Sequence, residues 1–157
     1  MKTLTLFVAF FFITFTGCDL FTGSSDDGTP TRKKINNDGI EYTLSIPKTI
    51  FSLEDSLSLT FLVQNQTVAI KKFNFNNIQQ FGFQLTDDFD RVALCYPTIL
   101  SPATSSFVLP PGGSKNFSMS YLFKDHSGNF INKGNYVLSA YLSENMSPKV
   151  SLQILVN

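Results

Sequence analysis

The feature that most constrains this chain is a period of two. From residue 40 onward, large apolar side chains recur at alternate positions, and no stretch sustains helical spacing. IEYTLSI puts Ile40, Tyr42, Leu44 and Ile46 on one side. LSLTFLVQN does the same with Leu57, Leu59, Phe61 and Val63. The pattern continues through Phe73 and Phe75, then Phe81, Phe83 and Leu85, then Val92, Leu94 and Tyr96. It ends with Phe117 to Phe123, Tyr136 to Leu142 and Val150 to Val156. Successive side chains on a strand point to opposite faces, so each run predicts a strand with one face buried. Turn-forming residues separate the runs, among them Asn76-Asn77, Asp87-Asp88, Pro110-Pro111-Gly112-Gly113 and Ser127-Gly128-Asn129.

About eight half-buried strands in one chain predict an all-β fold, an immunoglobulin-like antiparallel β-sandwich. Composition agrees. The chain has 17 Phe and 5 Tyr but no Trp, and aromatic residues fit pleated surfaces. Burying one Phe contributes about 1.5–3 kcal/mol, so several can hold two sheets together without cross-links. Tyr136, in Gly134-Asn135-Tyr136, sits at the start of a late strand. Two readings stand for it: a corner hydroxyl bonded to nearby backbone, or core filler with a free hydroxyl.

The first residues follow another logic. Leu4 to Phe15 is apolar except for Thr5 and Thr14. As a helix it would reach about 18 Å, short of the roughly 30 Å of a bilayer core, and it has the length of a signal-peptide apolar region. Thr16-Gly17-Cys18 closes it and resembles the lipobox of bacterial lipoproteins, in which cleavage precedes the Cys and the thiol is acylated. Phe15 stands where Leu is usual, and a plain secretory signal with an incidental Cys is the alternative. The resemblance implies a signal peptide over 1–17, a lipidated Cys18 with a flexible tether over 18–38, and a folded domain over 39–157. The tether is rich in Ser, Thr, Asp, Gly and Asn, which cannot bury a core. The expected location is the bacterial cell envelope, held to a membrane by the lipid; whether inner or outer is left open. With Cys18 lipidated, Cys95 has no partner for a disulfide and is expected as a buried, inert thiol.

Little in the chain points to catalysis. Lys+Arg and Asp+Glu both number 12, so there is no basic surplus for nucleic acid. Asp125-His126-Ser127 has the residue types of a hydrolase triad, but adjacent side chains diverge and read as a solvated loop. Asp87, Asp88 and Asp90 crowd one turn without the Gly and terminal Glu of a calcium loop. No metal, cofactor or enzymatic activity is expected. Asn65-Gln66-Thr67, Asn116-Phe117-Ser118 and Asn145-Met146-Ser147 match glycosylation sequons, which a bacterial context makes incidental.

LSLTFLVQN, KKFNF, FGFQLTD, DRVAL, VLPPGGSKNF and GNYVLSAYL run in an order that resembles the BsuPI family, named for an intracellular proteinase inhibitor of bacilli. The likeness covers roughly residues 50–145. The chain departs from the family in having Leu94-Cys95-Tyr96-Pro97 where Trp is frequent, and in its leader. The resemblance implies the sandwich fold and inhibition of a protease by non-covalent docking, a serine protease being the natural target. Another envelope protein is the alternative partner, with the chain a non-inhibitory binding or assembly module. The best contact candidate is the stretch from Tyr96 to Ser106, where Pro97 and Pro102 restrict the backbone around Ile99 and Leu100. Isolated loop apolars ordinarily pack inward, so plugging the end of the sandwich is the competing expectation for both. A second loop is expected to expose Phe130 and Ile131.

The lipobox reading has a direct test. Cys18→Ser should abolish incorporation of labelled palmitate and move the protein from the detergent to the aqueous phase; unchanged labelling would overturn it.

Overall fold

The structure, a computed structural model, describes residues 30–144 and 147–157. The signal, Cys18 and most of the tether lie outside the described residues. The described chain is all-β. Its strands are β1 (Thr31–Asn37), β2 (Ile40–Ile46), β3 (Ile50–Phe51), β4 (Ser56–Asn65), β5 (Lys71–Phe75) and β6 (Phe81–Asp87). There follow β7 (Val92–Tyr96), β8 (Ser105–Leu109), β9 (Ser114–Leu122), β10 (Gly134–Leu142) and β11 (Val150–Val156).

Two sheets make the sandwich, ordered β1-β2-β4-β9 and β3-β11-β10-β6-β7, and β5 pairs with β8 as a separate ribbon. All pairings are antiparallel except the short parallel step of β3 on β11. This is the expected immunoglobulin-like arrangement. Each of the eight periodic runs forms a strand, and β1, β3 and β8 are additional.

The core is built from the alternation. On β4, Leu57, Leu59, Phe61 and Val63 are buried, while Ser56 and Ser58 face solvent. Leu44, Leu85, Leu138, Leu142 and Val150 are fully enclosed from the other strands. Rings knit the layers together. Phe61 of the first sheet lies 5.5 Å from Phe81 of the second, and Phe81 lies 5.4 Å from Phe117 on β9. Phe107 of the ribbon lies 6.1 Å from Phe117 and 4.7 Å from Phe73. Such pairs add about 0.5–1.5 kcal/mol each beyond the area they bury.

Three departures from the sequence reading have local causes. Residues 31–37, expected as part of the flexible tether, form β1 instead. Asp38 and Gly39 both take positive φ, 51° and 75°, which makes the primed two-residue turn that a twisted hairpin favours. Gly39 has a second reason to lack a side chain: a Cβ there would collide with Thr67. β1 shows no alternation because it is an edge strand, and only Ile35 packs on the core. Arg32, Lys33 and Lys34 are exposed along it, the usual protection of an open edge.

Val92, expected on the inner face with Leu94, is instead 54% exposed. Leu85 pairs with Leu94 but Thr86 pairs with Val92, so Ala93 is an extra residue and the bulge turns Val92 outward. Cys95, expected in the core, is only half-buried, because β7 is itself an edge strand.

Tyr136 settles between its two readings. Its hydroxyl donates to the Asn132 carbonyl at 2.6 Å, four residues upstream, where the chain crosses from β9 to β10. Its ring is buried beneath the crossing. Burial also raises the Tyr136 hydroxyl pKa, with the Asp87 carboxylate adding to the effect, so the proton that makes this bond is retained across ordinary pH. Tyr136→Phe keeps the ring and removes the bond. It should destabilise the domain by about 1–2 kcal/mol in urea unfolding, with an unchanged m-value.

Candidate functional site

The turns at one end of the sandwich are stitched into a single surface, and Asn65 is its anchor. Asn65 ends β4 and is fully buried. Its Nδ2 donates to the carbonyls of Ala69, Leu109 and Pro110 at 2.7, 3.0 and 3.1 Å. Its Oδ1 accepts from the Thr67 amide and hydroxyl at 2.9 and 2.7 Å. Backbone bonds tie Asn65 to Gly112 and Gly113, and Gln66 to Gly39. One side chain thereby joins the β4–β5 connection to the β8–β9 turn. Because that side chain is wholly occupied within the fold, the sequon beginning at Asn65 is a structural motif here.

The stretch between β7 and β8 runs from Pro97 to Thr104. Its base is pinned to the β5–β6 connection. The Ser101 amide donates to Gln79 Oε1 at 3.1 Å, and the Ser105 hydroxyl donates to the Asn77 carbonyl at 2.7 Å. Just before the first of these pins, Ile99 is 81% exposed and Leu100 is 58% exposed. The expectation that they plug the sandwich end is therefore corrected: both side chains face solvent instead of packing inward. Pro97 is half-buried and Pro102 exposed. Val68, Ile70 and Ile78, on the β4–β5 and β5–β6 connections, are also exposed.

A polar concavity of about 550 Å³ opens next to Leu100 and Pro102, walled by Asn76, Asn77, Ser143 and Glu144. Asn77 is 6% exposed, and its Nδ2 donates to the Ser143 carbonyl at 3.4 Å. Asn77 Oδ1 and Ser143 Oγ are buried with no hydrogen-bond partner among the described residues. Burial raises the Glu144 carboxyl pKa above its usual value. Nothing in the sequence marked these three residues, because Asn76-Asn77 reads as an ordinary turn and burial of an Asn leaves no pattern in the letters.

The remaining candidates are placed elsewhere. Phe130 is 47% exposed, with the Lys124 ammonium 4.6 Å from its ring. Ile131 is buried, contrary to the expectation of an exposed pair. Its amide donates to the Phe123 carbonyl at 3.0 Å, which turns the side chain into the core. Asp125 Oδ1 accepts from the amides of Ser127 and Asn129, both at 2.9 Å, so this carboxylate shapes its own turn while His126 points to solvent. Asp87 acts alike: Oδ1 accepts from the Phe89 and Arg91 amides, and Oδ2 pairs with the Arg91 guanidinium at 2.7 Å. Those bonds hold the Asp87 carboxyl below its usual pKa. Among the described residues no group of His, Cys, Asp or Glu is arranged to hold a metal ion.

No protein-family model matches the chain, and no curated protein matches it. Parts of some solved structures are similar in backbone. An alkylpurine DNA glycosylase, AlkC, of Pseudomonas fluorescens aligns with a TM-score of 0.46 and 11% identity, over 69% of this chain and 27% of that one. A β-glucosidase of Listeria innocua aligns with a TM-score of 0.44 and 13% identity, over 82% of this chain and 16% of that one. The β-glucosidase EmGH1 of Erythrobacter marinus gives a TM-score of 0.44 and 12% identity over the same shares, 82% and 16%. The chain thus spans under a third of the length of each.

The raised pKa of Glu144 fixes a pH dependence. A carboxyl that protonates more easily folded than unfolded favours the folded state when protonated, and that advantage is lost as pH rises through the folded pKa. Glu144→Gln should therefore raise Tm at about pH 7 and leave it unchanged at about pH 3, where both states are protonated. An equal gain at both pH values would refute the burial account.

Proposed function

We propose that this chain is a lipid-anchored protein of the bacterial cell envelope whose sandwich docks on a protease and inhibits it without covalent chemistry. Cys18 carries the anchor, and the contact is the stretch from Pro97 to Pro102. The supporting observation is the pairing of exposure with constraint. Ile99 and Leu100 are exposed, while Ser101, the next residue, is held by Gln79, and Ser105 is held by Asn77. A loop already held in shape loses little freedom on docking, which is what tight inhibitors need. The ordered likeness to the BsuPI family supports the same reading. So does the occupation of the Asp87 and Asp125 carboxylates within their own turns.

A second reading, a non-inhibitory module that binds or assembles other envelope proteins, draws support from a different observation. Val68 and Ile70, on the β4–β5 connection, are exposed as well as Ile99 and Leu100. That is more apolar exposure than a single inserted side chain needs.

Titration of the full chain into a panel of serine proteases decides between them. The expected result is stoichiometric loss of activity with one panel member. Replacing Ile99 and Leu100 with Ser should weaken that inhibition by at least about thirtyfold, the scale of one interface hot spot. Full protease activity throughout the panel, with envelope cross-linking at Ile99 capturing a different protein, would establish the second reading.

A further inference from the structure

Four strands form the edges of the two sheets: β1 and β9 on one, β3 and β7 on the other. An open edge presents unpaired N–H and C=O groups to any incoming strand, and folded proteins ordinarily blunt it. β1 carries Arg32, Lys33 and Lys34. β7 is bulged, and Pro97 follows it. β3 spans two residues. β9 is the least protected of the four. It runs nine residues in unbroken register with β4, has no Pro, and carries one charge, Lys115, at its second position. Among the described residues it pairs with β4 alone, and the backbone bonds outside the sheets involve none of Lys115 to Tyr121. In an antiparallel pair, residues whose N–H and C=O both meet the neighbour alternate with residues whose two groups point away. Every second residue of β9 therefore offers a donor and an acceptor outward.

A groove of about 540 Å³ lies at this edge. It is lined by five consecutive residues of β9, Lys115 to Met119, and by Ile78 to Phe81 and Tyr96 across from them. Asn116 and Ser118 point to one face of the strand, Phe117 and Met119 to the other, so a hollow that touches them all sits at the strand's rim. Phe117, Met119 and Tyr96 are half-buried there, and Ile78 is exposed. The Lys115 ammonium lies 5.7 Å from the centre of the Phe117 ring. It makes no ion pair among the described residues, and no Asp or Glu lines the groove.

A helix satisfies its own backbone and gains nothing from an open strand edge, whereas an extended segment meets it bond for bond. Side chains on such a segment alternate, and those sharing the face of Lys115, Phe117 and Met119 enter the groove. The unpaired ammonium favours a carboxylate at one of those places and the rings favour apolar groups at the others. We propose that β9 receives an extended segment of another protein as an added antiparallel strand, apolar at two alternate positions over Met119 and Phe117 and acidic at the next, opposite Lys115. This edge is separate from the contact at Ile99 and Leu100 and goes beyond it: the proposal stands whether or not that loop inhibits a protease.

The probe is the acetylated and amidated peptide Thr-Val-Thr-Val-Thr-Glu-Thr, titrated into the isotopically labelled full chain while backbone amide resonances are followed. Saturable shifts are expected along Lys115 to Tyr121, with slowed hydrogen exchange at alternate amides. N-methylation of the peptide separates strand addition from plain apolar contact. Methylating the two Val and the Glu amides removes the donors on one side of the strand, and methylating the two inner Thr amides removes those on the other. One of these peptides should bind at least about tenfold more weakly and the other nearly as well as the parent. Replacing the peptide's Glu with Lys should weaken binding about threefold, the scale of an exposed ion pair, and Lys115→Glu should invert that preference. Shifts confined to other strands, equal effects of the two methylations, or a preference unchanged by Lys115→Glu would each overturn the proposal. So would a dimer joined through β9 in sedimentation that the peptide does not dissociate, since a second copy would then fill the edge.

Discussion

A line of aromatic rings carries this fold. It runs from Tyr42 to Phe61, across the sandwich to Phe81, back to Phe117, and out through Phe107 to Phe73 and Phe75. The line passes through both sheets and the ribbon, so it fixes the spacing of all three at once. A chain of this size with no disulfide among its described residues needs such a device, since hydrophobic contact alone is non-directional while ring pairs prefer particular separations and tilts. Trp is absent from the chain, and Phe fills the role without a polar atom to satisfy.

The aromatic line also explains the placement of the polar groups. Where rings fill the middle of the sandwich, chain crossings are forced to the ends, and each crossing brings backbone groups that need partners. Tyr136 answers at the β9–β10 crossing with one bond to Asn132. Asn65 answers at the opposite kind of junction, with Nδ2 serving three carbonyls and Oδ1 serving Thr67. Both residues lie at the boundary between strand and turn, where a side chain reaches backbone on either side. Both are polar atoms enclosed and satisfied, which fixes a crossing more narrowly than apolar contact does.

Much of this was legible in the letters because a strand buried on one face must alternate. β2, β4, β10 and β11 follow that rule, and their registers place the alternating residues inward. What escaped the reading escaped for want of a buried face. β1 is a charged edge held by its turn, β3 spans two residues, and β8 pairs only with β5. Val92 misled because a bulge is a difference in count between two strands, and neither strand shows it alone. Ile131 misled because a loop apolar and a core apolar are the same letter; the backbone bond to Phe123 decides between them. The candidate loop was found from its prolines and its two apolar residues. The concavity next to it was not, since Asn77, Ser143 and Glu144 come from separate turns and meet only in three dimensions.

The two ends of the buried polar inventory differ in a way that bears on function. Asn65 uses every hydrogen-bonding capacity of its amide on this chain's own backbone and on Thr67, and Asn77 does not. Folding alone explains the first, because without Asn65 several enclosed carbonyls would lose their donors. At 77 the fold uses one end of the amide: Nδ2 donates to the Ser143 carbonyl, while Oδ1 is enclosed without a partner among the described residues, at a cost of about 1–3 kcal/mol. Beside it, Glu144, whose carboxyl pKa burial raises, and the exposed Leu100 line one concavity. The rings and Asn65 hold the surrounding strands and turns in place, and groups held before any contact need not be ordered during it.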